Sequence, residues 1–288
     1  KVSRSCGHTP GKVAGQRAAV KAEMNGEWGK AFVRRAMLGF SERVSAMIAP
    51  SEKTKNLLEE YGITCPIYVV PSGIELSEYA GDKEAACRER IRAEFSVSSG
   101  TTLLLYVGRL AKEKHIEELL RFQKQAREKQ TALLIAGDGP HRRELERQVR
   151  LLGIEKSVIF TGMIPHERIG EYYSAGDLFV NASVSETQGM TYGEALASGL
   201  PLLCRKDDCL KGILREGENG WQYESAGEFQ RFLVDWMALP GAEKEKMRQS
   251  ARQSAEVFSA ESFARKAEAV YEVEKARHRS IQKRHYRE

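Results

Sequence analysis

The chain has 288 residues, 41% of them hydrophobic and 30% charged, an ordinary globular balance with room for one large or two modest domains. Its longest apolar runs, such as Leu103-Leu104-Leu105-Tyr106-Val107, are strand-sized and far short of a membrane span, and we read no signal peptide. The net charge of +5 is unevenly placed: residues 1–50 hold nine Lys/Arg against three acids, residues 275–288 hold six against Glu288 alone, and the stretch between is about −6 by difference. The basic ends read either as solvated termini or as attraction to an anionic membrane or nucleic acid. Nucleic acid is disfavoured, since no reading motif or aromatic interleaving accompanies them. Five cysteines (Cys6, Cys65, Cys87, Cys204, Cys209) are odd in number and show no ligand-like pairing, which predicts reduced thiols in a cytoplasmic protein.

Along the chain, residues 17–43 read as one or two basic helices, with Phe32, Val33, Met37, Leu38 and Phe40 set among arginines. The apolar run Val44–Ala49 leads into a helix over Glu52–Tyr61, with Ser51 as its N-cap. A short strand over Ile67–Val70 is stopped by Pro71-Ser72-Gly73. From about residue 100 the pattern alternates. Thr102–Val107, Ala132–Ala136, Val158–Phe160, Leu178–Val180 and Leu200–Cys204 read as buried strands. Ile116–Glu128, His141–Leu152, Pro165–Ala175 and Met190–Ser198 read as the helices between them. Three more helices follow, over Ala226–Ala238, Ala242–Phe258 and Ser262–Arg277. Strand–helix repeats of this length predict a doubly wound, Rossmann-like α/β domain with a parallel sheet.

Ligands of open parallel sheets bind beyond the carboxyl ends of the strands. The loops there carry Gly108-Arg109-Leu110-Ala111-Lys112-Glu113-Lys114, Gly137-Asp138-Gly139-Pro140, the run from Asn181 to Met190, and Arg205-Lys206-Asp207-Asp208. Glycine lets a backbone approach, a helix start offers N–H groups, and Arg or Lys offsets anionic charge, so the set suits a phosphate-bearing ligand. Glu186 and Glu194, separated by seven residues, place one carboxylate in a loop and one in the following helix. Beside a diphosphate they make sense as acceptors for sugar hydroxyls, although surface acids favoured by the helix dipole would give the same spacing. Pro140 reads as a first helical residue, Gly137 as a possible sugar neighbour, and Asp207-Asp208 as a helix cap beside an Arg205 within reach of the ligand.

The run Ser185-Glu186-Thr187-Gln188-Gly189-Met190-Thr191-Tyr192-Gly193-Glu194-Ala195-Leu196-Ala197-Ser198-Gly199-Leu200-Pro201 resembles the signature of retaining family 4 glycosyltransferases with the GT-B fold. Its Ser-Glu-Thr-Gln-Gly form is similar to bacterial diacylglycerol glucosyltransferases. Ala49-Pro50-Ser51-Glu52-Lys53, the stretch from Pro66 to Glu75, and the stretch from Tyr106 to Lys114 agree in order, so the resemblance covers about residues 44–224. It implies that Arg109 and Lys114 neutralise the donor diphosphate and that Glu186 faces the donor sugar. Glu194 would hold the ribose, and Gly108, Gln188, Gly189, Met190 and Thr191 would lie along the phosphates and sugar. Met163 and Ile164 would flank the base. It further implies a UDP-sugar donor such as UDP-glucose, retention at the anomeric carbon, and no metal cofactor; no Asp-x-Asp motif is present.

His8-Thr9 resembles the family's first-domain His-Thr, with His8 facing donor sugar and acceptor, yet the polar Lys1–Cys6 does not read as its strand. We therefore expect an N-terminally truncated chain. Residues 1–75 would be a remnant of the acceptor domain, 76–258 the nucleotide-sugar domain, and 259–288 a C-terminal helix and tail. The family's last helix returns to the first domain, which would bring Lys275, Arg277, Arg279, Lys283, Arg284 and Arg287 beside Arg17, Lys21, Arg34 and Arg35 as one basic patch. That patch suits a peripheral enzyme acting on a membrane lipid such as diacylglycerol at the inner face of the plasma membrane. A family member acting on a saccharide or protein with another sugar, and a non-catalytic nucleotide-sugar-binding fragment, are the alternatives. A nicotinamide-dependent oxidoreductase is set aside, because the Gly-x-Gly-x-x-Gly turn is missing.

Overall fold

A computed structural model describes residues 27–79, 84–126 and 129–285. His8, Thr9, Arg17, Lys21 and Arg287 lie outside the described residues. The chain divides into two compact units, one of residues up to 48 together with 55–68, the other of residues 49–54 together with the chain from 69 onward.

In the first unit the basic stretch forms helix α1 (Glu27–Ser41), and the unit also holds the starts of strands β1 (Met47–Ala49) and β2 (Ile67–Val69) and the body of α2 (Glu52–Glu60). Arg34 Nε donates to the Tyr61 carbonyl at 3.0 Å, tying the end of α2 to α1, and Met47 N donates to Pro66 O at 2.8 Å to begin the β1–β2 pairing. Phe32, Val33 and Phe40 stay exposed on α1.

The second unit runs through α3 (Glu84–Glu94), β3 (Thr102–Val107), α4 (Ile116–Ala126), β4 (Thr131–Ala136), α5 (Arg142–Leu152), β5 (Val158–Gly162), α6 (Ile169–Ala175), β6 (Leu178–Asn181), α7 (Met190–Ala197), β7 (Leu202–Arg205), β8 (Gly220–Tyr223), α8 (Ala226–Ala238), α9 (Gly241–Ala255) and α10 (Ala260–His285). Its six strands are all parallel, in the order β5-β4-β3-β6-β7-β8. The chain thus works outward from β3 in one direction, then returns to β3 and works outward in the other. That reversal opens a crevice beyond the carboxyl ends of β3 and β6.

Both faces of the sheet are covered, which is why β3 reads as an unbroken apolar run rather than an alternating one. Leu103 and Leu105 point to one face, among Ile91, Tyr173, Tyr192, Leu196 and Phe258. Leu104 and Tyr106 point to the other, among Leu120, Leu145, Phe229 and Trp236. The expected doubly wound domain is present.

Most predicted elements recur within a residue or two. Pro140 stands before the helix rather than inside it, since α5 begins at Arg142 with His141 as its N-cap residue. The Pro165–Ala175 helix opens with a 3-10 turn over His166–Arg168. The strand expected at Leu200 starts at Leu202, because Pro201 has no N–H for the ladder. α3 and β8 were not anticipated: α3 buries Ile91 and Arg92, too little apolar surface for a periodic signal, and β8 is a four-residue edge strand.

Candidate active site

At the switch point two adjoining cavities share Val107, Gly108 and Arg109. One, of about 710 Å³, is lined further by Gly137, Asp138, Gly139, Met163, Ile164, His166 and Ile169. The other, of about 430 Å³, is lined by Pro50, Ser72, Lys114, Glu186, Gln188, Gly189, Met190 and Thr191 among others. The loops after β3 and β4 approach backbone to backbone. Gly137 has φ +145, and a Cβ there would lie 2.0 Å from the Gly108 carbonyl oxygen, so only glycine fits.

The structure brings Arg109, Lys114 and Glu186 to one cavity wall. A 3-10 turn over Lys112–Lys114, closed by His115 in the left-handed region, turns Lys114 inward. Its Nζ lies 2.7 Å from Glu186 Oε1, with both side chains largely buried. Arg109 lies more open and pairs with Glu113 one helical turn away. Its loop is held from below by Tyr106, whose hydroxyl donates to Arg109 O at 3.2 Å. Burial first, and then the charges of Glu186 and Glu113, push that phenol's pKa well up, so it stays a donor.

Gly189 caps α7 in the left-handed conformation, φ +68, and a Cβ there would collide with the Tyr192 ring at 2.3 Å. Glu194 sits one turn further along α7, half-buried, and accepts a hydrogen bond from the Tyr173 hydroxyl at 2.7 Å. Gln188 lines the cavity, but its side chain faces the backbone: Ser72 N donates to Oε1 at 2.9 Å and Nε2 donates to Ser72 O at 3.2 Å. Met163, 79% exposed, and Ile164 line the larger cavity with Gly137 and Asp138. Asp138 accepts from Gly139 N and Arg142 rather than standing clear. Arg205 is held by Glu118 at 2.7 Å. Asp207 is a cap, as expected, of a 3-10 turn, accepting from Cys209 N.

Several residues around the site were not singled out from the sequence for these roles. Ser51 and Thr54 both donate to the Thr187 carbonyl, the latter at 3.1 Å. Lys53 donates to Val184 O at 2.8 Å and pairs with the buried Asp207 carboxylate at 2.6 Å. The loop carrying Glu186 is therefore strapped by residues more than a hundred positions earlier, a contact that no local pattern signals. Among the described residues no group of His, Cys, Asp or Glu is arranged to hold a metal, and no helix is long and apolar enough to cross a membrane.

The sequence model of the family described as glycosyl transferases group 1 matches residues 88–254, more than half of the chain and the whole of the six-stranded sheet. The chain belongs to this family. Within it, the chain is 32% identical over 244 residues to the alpha-monoglucosyldiacylglycerol synthase of Streptococcus pneumoniae, covering 83% of this chain and 54% of the relative. It is 27% identical over 241 residues to the enzyme of the same name from Acholeplasma laidlawii, covering 81% and 59%. The chain thus spans little more than half the length of these relatives. Among solved structures, sucrose-phosphate synthase from Thermosynechococcus elongatus superposes with a TM-score of 0.74 at 23% identity, covering 90% of this chain and 66% of that one. Anabaena Alr3699/HepE in complex with UDP-glucose superposes with 0.71 at 20% identity, covering 83% and 67%. At these identities the structural likeness speaks for the fold of a group 1 glycosyltransferase, not for its substrates.

Proposed function

We propose that the chain carries the donor-binding part of a retaining hexosyltransferase that moves glucose from UDP-glucose to a membrane lipid of the diacylglycerol kind. The observation that carries the reading is the Lys114–Glu186 pair in the cavity beside Gly108-Arg109, at the switch point of the sheet. A cation suited to a departing diphosphate stands next to a carboxylate suited to sugar hydroxyls, and glycine backbones leave room for both. The names of the two synthases support glucose and a diacylglycerol-type acceptor.

In this reading the bond from the anomeric carbon to the diphosphate oxygen breaks as the acceptor oxygen bonds on the same face. The acceptor proton passes to the leaving phosphate, and Arg109 and Lys114 hold the charge that develops. Glu186 positions the sugar, Met163 and Ile164 flank the uracil, and Glu194 accepts from the ribose. Exposed Phe32 and Phe40 near Arg34 and Arg35 on α1 support contact with an anionic membrane surface.

Thermal unfolding with UDP, ADP, GDP and UDP-glucose tests the donor. Ligand at roughly a hundred times its Kd adds about 2.7 kcal/mol, a rise of several degrees for a domain of this size. A rise with UDP and UDP-glucose alone is expected; a rise with ADP or GDP instead, or with none of the four, overturns the donor assignment. For the acceptor, labelled glucose is expected in diacylglycerol presented in anionic vesicles, and Glu186→Ala is expected to lower that transfer roughly a hundredfold. Failure of the chain to pellet with such vesicles at low salt would remove the membrane part of the proposal.

A further inference from the structure

Glu194 does not stand alone at the back of the site. Tyr173 is fully buried on α6, and its hydroxyl donates to Glu194 Oε2 at 2.7 Å. Tyr79, 4% exposed, meets Tyr173 edge to face with ring centroids 5.9 Å apart and braces it from behind. Burial first, and then the charge of Glu194, push the pKa of both phenols far above the ordinary tyrosine value, so both remain donors at any physiological pH. Packing does not explain the hydroxyls. The surroundings are Ile74, Leu105, Phe179 and Leu196, where phenylalanine would avoid the cost of desolvating a polar group.

The carboxylate is also well placed relative to the cavities. Met190, one turn before Glu194 on α7, lines the smaller cavity, and Ile169, one turn before Tyr173 on α6, lines the larger. Each member of the hydrogen-bonded pair thus follows, by one helical turn on its own helix, a residue that lines a cavity. A carboxylate has about four lone-pair sites. The Tyr173 phenol occupies one of them, with Tyr79 packed against its ring, and the remaining capacity suits two adjacent hydroxyls.

We propose that Tyr173, braced by the ring of Tyr79, is a positioning residue that locks the Glu194 carboxylate in the orientation that selects a ribonucleotide donor over its 2′-deoxy counterpart. The inference rests on the reading of Glu194 as the ribose acceptor. Without the Tyr173 hydroxyl the carboxylate would still be present but free to rotate, and it would lose the vicinal geometry that a 2′,3′-diol requires.

Titration calorimetry with UDP and 2′-deoxy-UDP, on this chain and on Tyr173→Phe, Tyr79→Phe and Glu194→Gln, tests the idea. The unmodified chain is expected to prefer UDP by about tenfold, the worth of one hydrogen bond to a charged group. Tyr173→Phe is expected to bind 2′-deoxy-UDP as before but UDP severalfold more weakly, so that the ratio collapses, whereas Tyr79→Phe, which keeps the ring contact, is expected to keep the ratio. A merely structural loss would weaken both nucleotides together and leave the ratio intact, and that result would overturn the proposal. If Tyr173→Phe does not fold, Tyr79→Ala, which removes the ring that braces Tyr173, reads the same ratio. A ratio lost in Glu194→Gln but kept in Tyr173→Phe overturns the positioning role while leaving the ribose reading standing. A ratio near one in the unmodified chain overturns the ribose reading itself, and the positioning role with it.

Discussion

Asp177 shows how a single side chain can matter greatly without touching the site. It stands just before β6, at the amino end of the sheet, where Leu103 N donates to it at 2.7 Å. Arg88 reaches it at 2.6 Å, and Arg92 and Arg248 at 3.3 Å each. Burial by itself would raise its pKa; the charges of Arg88 and Arg92 and the backbone donor outweigh that and hold it below the ordinary range. A depressed folded-state pKa contributes stability above the unfolded value of about 3.9, and the contribution is lost as pH falls through the lower folded value. Asp177→Asn leaves buried guanidinium groups without their counter-charge and is expected to cost about 3–5 kcal/mol, measured by urea unfolding at neutral pH. Its acid-unfolding limb is expected to be shallower, with UDP affinity in the folded fraction unchanged. A variant as stable as the parent would show the cluster to be dispensable.

Among the elements, the loop between β6 and α7 depends most on distant support. Ser51 and Thr54 hold the Thr187 carbonyl, Gln188 brackets the Ser72 backbone, and Lys53 spans Val184 O and Asp207. Lys53→Met removes two of these ties and leaves the Asp207 carboxylate buried without its ammonium. We expect a loss of about 1–3 kcal/mol and weaker UDP-glucose binding than UDP binding, because Glu186 rides on this loop; equal weakening of both in paired titrations would count against the strap. Five of the six strands of the sheet were legible because parallel, doubly covered strands are continuous apolar runs, and β3 shows this residue for residue; the edge strand β8, Gly-Trp-Gln-Tyr, is not such a run. The glutamates and glycines of the site were legible because their spacing is local. The strap, the tyrosines behind Glu194 and the side-chain direction of Gln188 were not, because each depends on a partner far away in sequence. α3 stayed hidden for a different reason: it is anchored by arginines bonded to Asp177 rather than by an apolar stripe.

Across the whole molecule, charge is distributed against first expectation. The residues between the two basic ends contain the entire parallel sheet and sum to about −6, yet an anionic donor is expected to bind among them. A long-range field of that sign would not draw a nucleotide in. The local arrangement differs as well: Arg109 is matched by Glu113, and Lys114 by Glu186. An arriving diphosphate does not neutralise unmatched cations. On the proposed reading it would change places with carboxylates that the protein already supplies, so binding would be an exchange of anions that releases few dissolved ions. UDP affinity is therefore expected to decline only gently across a potassium chloride series, and Glu113→Gln, with one internal competitor removed, is expected to bind more tightly at low salt and decline more steeply. A steep decline in the unmodified chain would mean that these cations stand open in solution. A gentle decline would mean that the protein has traded some raw affinity for a donor site whose occupancy hardly changes as the ionic strength around it rises and falls.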